Sequence, residues 1–255
     1  MKQLGAMTAF QMRRRATDGF AIGYNIVFPM VLITILGTLG RGRQQGFISS
    51  YQYYTLVLLP FCTSMAVITA AYAGKEDAFA HTAMRIIMSP LSNIEIVLAK
   101  MISCTVVYSI CNGFMIVVTK LIWRVSYQGK MVPVLFLLTA TAFCVCSLGV
   151  LIGLGMKNFL TVKNVLNIPI SLCAIAAGSF FPVGTLNRRL QFLLDLSPLT
   201  WINRSIFLCI YDGKSDLLWG VSAALLIAGG VFIWLAMKYF KREEYLNGQL
   251  PGSEK

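Results

Sequence analysis

The chain has 255 residues, 57% of them hydrophobic and only 13% charged, where a soluble domain carries roughly 25% charged. Six apolar stretches, each near the roughly 20 residues that cross a hydrocarbon core, use about half the length and leave no room for a separate soluble domain. The net charge of +12 collects at the ends of these stretches, so the bilayer accounts for it and nucleic acid is set aside as a partner.

In chain order, residues 1–17 come first. Leu4, Met7, Phe10 and Met12 form a rough helical stripe ahead of Arg13, Arg14 and Arg15. This predicts an amphipathic helix in the membrane interface with the arginines at headgroup level. The next apolar run, Phe20 to Leu39, is too long for a signal-peptide core and reads as a retained first span. Span two runs from about Tyr53 to Ala73, span three from Ile94 to Leu121 and span four from Met131 to Leu154. Span five runs from Asn164 to Phe181 and span six from Leu217 to Met237, before a polar tail, 238–255. The whole chain, 1–255, is thus one transmembrane domain and all-α.

Two internal segments interrupt this order. Residues 74–93 are the most polar, with Phe79, Ala83, Ile86 and Ile87 on one helical face and Glu76, Asp77, His81, Thr82 and Arg85 mostly elsewhere. Ser89-Pro90 stops that helix, and Ser92 or Asn93 can cap the next span. Composition alone leaves this helix either an interfacial anchor or a docking element. Residues 182–216 are too apolar for water and too interrupted, by Arg188, Arg189, Asp195, Pro198 and Arg204, to span. Two short helices that dip into the membrane and return fit them.

An even number of spans puts both tails on one side. The tails and the segments around 74–100 and 155–163 carry more of the 22 Lys and Arg than the opposite loops, which places both termini in the cytoplasm.

Chemistry-bearing motifs are sparse. The seven cysteines fall in or beside apolar stretches and act as small hydrophobes rather than disulfide or zinc ligands. None of the ten acidic residues sits in mid-span, which argues against ion coupling. His81 is the single histidine, too few ligands for a metal site. The Gly-Arg-Gly-Arg run at 40–43 lacks phosphate-loop spacing, so no nucleotide site and no enzyme is expected. Gly149 and Gly153 form a GxxxG suited to close helix packing, within one subunit or between two.

The stretch GKEDAFAHTAMRIIMSPLSNIEIVLAK, 74–100, follows a span with acidic residues and ends in Arg-Ile-Ile-Met-Ser-Pro, then Glu95 and Lys100. Further on come Phe180-Phe181-Pro182 and, about fifteen residues later, Leu196-Ser197-Pro198-Leu199-Thr200-Trp201. In this order the chain resembles, over its whole length, the permease subunits of ATP-binding-cassette exporters of the second type, the ABC type-2 permeases. The resemblance implies six transmembrane helices, an N-terminal amphipathic interfacial helix, a cytoplasmic coupling helix between spans two and three, and a re-entrant helical pair between spans five and six. It implies pairing with a second permease copy or a related chain, and an ABC-type ATPase subunit that carries the ATP and magnesium.

By the same resemblance the coupling helix, Glu76 to Ser89, seats on the ATPase. Glu76, Asp77 and Arg85 make polar contacts there, and Phe79, Thr82, Ile86 and Ile87 complete the surface. Arg13, Arg14 and Arg15 lie beside it, and Phe180, Phe181 and Pro182 form the outer gate. The implied activity is export of an amphipathic small molecule, drug, peptide or lipid-like cargo across the cell membrane. The residues themselves leave open an ATP-independent carrier or channel, or an anchor that recruits a cytoplasmic protein.

Overall fold

The computed structural model describes residues 2–40, 48–79, 83–88, 91–155, 159–180 and 195–240. Among them there is no strand. Helix α1 is Lys2–Ala16. Helices α2 (Gly19–Ile22) and α3 (Phe28–Leu39) join without interruption through a π-helical stretch, Gly23–Val27. Then follow α4 (Ser50–Met65), α5 (Val67–Phe79), α6 (Ala83–Met88), α7 (Asn93–Ile122), α8 (Met131–Gly155), α9 (Phe159–Ala176), α10 (Pro198–Tyr211) and α11 (Asp216–Tyr239).

Five helical stretches are long and apolar enough to cross a membrane: Gly19–Leu39, Ser50–Asp77, Asn93–Ile122, Met131–Gly155 and Asp216–Tyr239. The expected fifth span, Asn164 to Phe181, is displaced: its helix starts at Phe159 and ends at Ala176. Its apolar helical run, Asn164–Ala176, measures about 20 Å at 1.5 Å per residue. A physical stop ends it. Gly178 adopts φ +72°, its N–H donates to Ile175 O and the Ser179 N–H donates to Ala174 O. That is the Schellman pattern, in which a left-handed residue closes the helix, and it comes before Phe181.

Helices α4 and α5 form the central element, 83% buried, whereas Asp216–Tyr239 is 17% buried and turns most of its apolar surface outward. The break between α4 and α5 has local causes. Pro60 lies inside α4 and removes one backbone donor. The Thr63 and Ser64 hydroxyls donate back to Leu59 O and Pro60 O at 2.8 and 2.9 Å, and the Ala66 N–H turns to Thr63 O. Across the break, the Thr63 hydroxyl stands 3.0 Å from the Asn112 side-chain amide and Tyr108 donates to Thr69 Oγ1 at 2.6 Å, tying α7 to both halves. In an apolar medium such side-chain bonds replace what the backbone gives up.

Helix α5 also runs further than expected. It continues through Glu76 and Asp77 to Phe79, so these carboxylates lie on the last turns of the same helix as the second span. Of the rest of the expected coupling helix, the described residues are those of α6. Ser92 then caps α7 in a capping box, donating and accepting with Glu95, as the sequence suggests.

Helix α8 lies against α5 along a seam of small residues. A Cβ on Gly149 would stand 2.7 Å from Val67 O, one on Gly74 would stand 2.8 Å from Gly153 Cα, and one on Gly153 would strike Ala71 O. The GxxxG thus serves packing within this chain, where small residues let backbones approach without a hydrophobic driving force. We expect Gly153→Val to wedge α5 from α8 and cost about 1–3 kcal/mol. Gly230→Ala, with nothing within 4 Å, should be neutral. Thermal unfolding in detergent checks this, and equal melting of the two variants would deny the seam its role.

Candidate functional site

Helix α1 packs along α7 through Met7, Gln11 and Arg15, one helical turn apart and all buried. This is not the expected apolar stripe, since Phe10 points outward. Hydrophobicity alone could not find the packed face, because half of it is polar and gains its partners from the end of α5.

Those partners are the carboxylates of Glu76 and Asp77. Glu76 takes one arginine on each oxygen: Arg14 Nε at 2.6 Å from Oε1 and Arg15 Nη2 at 2.5 Å from Oε2. Asp77 accepts Arg14 Nη1 at 2.7 Å on Oδ1, and Lys100 Nζ at 2.5 Å and Gln11 Nε2 at 3.3 Å on Oδ2. Arg15 also reaches Asp18 at 2.9 Å, and Asp18 caps α2 through the Phe20 N–H. Lys100 further donates to Ala73 O at 2.9 Å and Gly74 O at 3.2 Å. The side chains of Asp77, Lys100 and Arg15 are 0%, 1% and 4% exposed. One cluster therefore joins α1, α2, α5 and α7.

The sequence reading named Arg14, Arg15, Glu76 and Asp77, and the structure brings them together. It did not name Gln11, Asp18 or Lys100 as members. A usable signal existed: a lysine two turns inside an apolar helix is costly unless a carboxylate meets it. Arg14 and Arg15 are held by these carboxylates rather than lying free at headgroup level, while Arg13 is exposed.

Beyond the cluster lies α6. Ile86 packs against the buried apolar group that includes Ala83, Ile96, Val97, Leu154, Ala236 and Phe240. Met84 and Met88, one turn apart, are 52% and 78% exposed and were not singled out in the sequence. The side chains of Phe79, Arg85 and Ile87 lie outside the described residues, as do Thr82 and His81. Among the described residues no group of three or more His, Cys, Asp or Glu could hold a metal ion.

At the opposite end, the start of α4 meets the end of α9. Tyr53 donates to Gly178 O at 2.9 Å and Tyr54 to Phe180 O at 3.4 Å. The Phe180 ring stands edge-on to Phe61, centroids 5.3 Å apart. Helix α10 lies alongside, with Ser197 donating to Cys173 O at 3.2 Å and Asn203 to Ala177 O at 3.2 Å. Its apolar face, including Leu199, Ile202, Ile206 and Ile210, is buried in the core around α4. Phe181 and Pro182 lie outside the described residues, as does the first half of the expected re-entrant pair.

A family model described as ABC-2 type transporter matches residues 2–211. No curated protein matches the chain.

Removing one partner of a buried pair leaves an uncompensated charge. Asp77→Asn should therefore cost about 3–5 kcal/mol through Lys100, and Asp77→Asn with Lys100→Met should recover most of the loss. A double-mutant cycle of thermal unfolding reads the coupling, and strictly additive losses would show that the two groups do not act as a pair.

Proposed function

The chain belongs to the ABC-2 type transporter family, and on that premise we propose that it is the membrane-spanning subunit of an ATP-driven exporter. The match over residues 2–211 carries this reading, supported by five long apolar helices and the ion-paired cluster. In it, α9 completes a sixth crossing, both termini and the α1 end face the cytoplasm, and the membrane is the cell membrane. The chain pairs with a second copy or a related permease, and the cargo is an amphipathic small molecule, drug, peptide or lipid-like compound. ATP and magnesium belong to a separate ABC-type ATPase subunit, and this chain performs no catalysis of its own.

The coupling segment is 74–93, with α6 as the part that touches the ATPase. Its exposed Met84 and Met88 supply the apolar contact, with Arg85 as the polar one and Phe79, Thr82 and Ile87 completing the surface. Exposed methionines suit such a contact because the unbranched side chain adapts to its partner. Glu76 and Asp77 act behind this surface. Their ion pairs fix the end of α5 to α1 and α7, so a push on α6 moves helices rather than bending a loop. Ile86 anchors α6 to the body of the chain. Phe180, with Phe181 and Pro182, guards the outer end of the path.

The first experiment is a mild-detergent purification from the native cells with intact masses of the complex. Two permeases with two ATPase subunits are expected, and a chain emerging alone would remove the energy source. In the reconstituted complex, Arg85→Glu and Met88→Glu should leave insertion and melting unchanged while lowering cargo-stimulated ATP hydrolysis and transport about tenfold. That equals about 1.4 kcal/mol of lost coupling. Normal transport by both variants would remove α6 from the coupling role.

A further inference from the structure

Helices α9 and α10 meet in a junction that leaves polar atoms without partners. Ser179 Oγ, Thr200 Oγ1 and Asn203 Oδ1 are buried and have no hydrogen-bond partner among the described residues. Hydrogen bonds between the two helices place them at one junction. Ser179 lies in the Schellman turn that closes α9, and Asn203 donates through Nδ2 to Ala177 O at the start of that turn. Thr200 sits one turn before Asn203 on α10, whose preceding residue Ser197 reaches Cys173 O on α9. Ser179 is 0% and Asn203 4% exposed.

A buried hydroxyl or carbonyl with no partner has lost its water and gained nothing in return. One such atom is ordinary. Three in one junction, at the end of the chain where Tyr53 and Tyr54 hold the α9 terminus by its carbonyls, make this packed arrangement costly relative to one that wets them.

We propose that the α9–α10 junction is a polar seal on the transport path, which parts during the cycle so that Ser179, Thr200 and Asn203 line the path. The opened seal offers two hydroxyls and an amide, so it accommodates water and the neutral hydrogen-bonding groups of a cargo. The proposal rests on the transporter reading above and adds which residues form the lining and why they are polar. The bonds from Ser197 and Asn203 to the α9 carbonyls are the closing contacts, and the unpaired atoms are the driving force for release.

Two measurements test it. Ser179→Ala and Thr200→Val keep the shape and remove the unpaired hydroxyl. If the packed state is the costly one, each raises the melting temperature of the purified chain by several degrees. Each also slows transport several-fold in the ATPase complex by holding the seal shut. A melting temperature that falls or does not change for both variants overturns the proposal, because the hydroxyls would then belong to the packed state. In the intact complex, Ser179→Cys should react with a membrane-impermeant maleimide faster under Mg-ATP turnover than without nucleotide. The wild-type complex, with its seven cysteines, sets the background. Equal rates overturn the seal. A wild-type complex that hydrolyses no ATP defeats the transporter reading instead, and the melting shifts, measured on the chain alone, then decide this proposal.

Discussion

A carboxylate with no exposed side-chain surface, Asp77, sets the arrangement of one whole end of the molecule. A buried charge is tolerable only when opposite charge and hydrogen bonds surround it, and here they arrive from two neighbouring helices. Lys100 comes from α7, Arg14 and Gln11 from α1. The N-terminal helix is therefore placed by electrostatics rather than by an apolar face, and α2 follows because Arg15 binds Asp18 at its cap.

From that fixed point a single element reaches the far side. Helices α4 and α5, over Ser50–Asp77, extend about 42 Å at 1.5 Å per residue. One end carries the clustered carboxylates and the other carries the tyrosines that hold α9. Between them the backbone is weakened at Pro60 and Ala66, and the side-chain bonds from Asn112 and Tyr108 span the weak point. Below that point α5 is locked to α8 by glycines that leave no slack. The lower half therefore moves with α8 and the cluster as one body, and any bending between the two ends is concentrated at the joint.

Long apolar runs made most spans readable in the sequence, because length and hydropathy alone decide whether a helix can cross a bilayer. The GxxxG was readable as a packing motif for the same reason of size, although its partner on α5 was not. The extent of α5 was misjudged, since Glu76 and Asp77 look like the start of a solvated segment until Arg14, Arg15 and Lys100 are seen to neutralise them. The end of span five was placed too late because a left-handed turn at Gly178 outweighs the apolar residues after it. Met84 and Met88 were overlooked because Ile86 and Ile87 are the more hydrophobic residues of α6, yet Ile86 is spent on the chain's own core.

The ion-paired cluster has one property that follows from its composition. In the described ion pairs Arg14, Arg15 and Lys100 stand against Asp18, Glu76 and Asp77, so these six groups sum to zero charge. Carrying one net charge through a membrane potential involves about 2.3 kcal/mol per 100 mV. A neutral assembly displaced along the membrane normal does no net electrical work. Displacing these six groups together therefore adds no voltage-dependent work of their own.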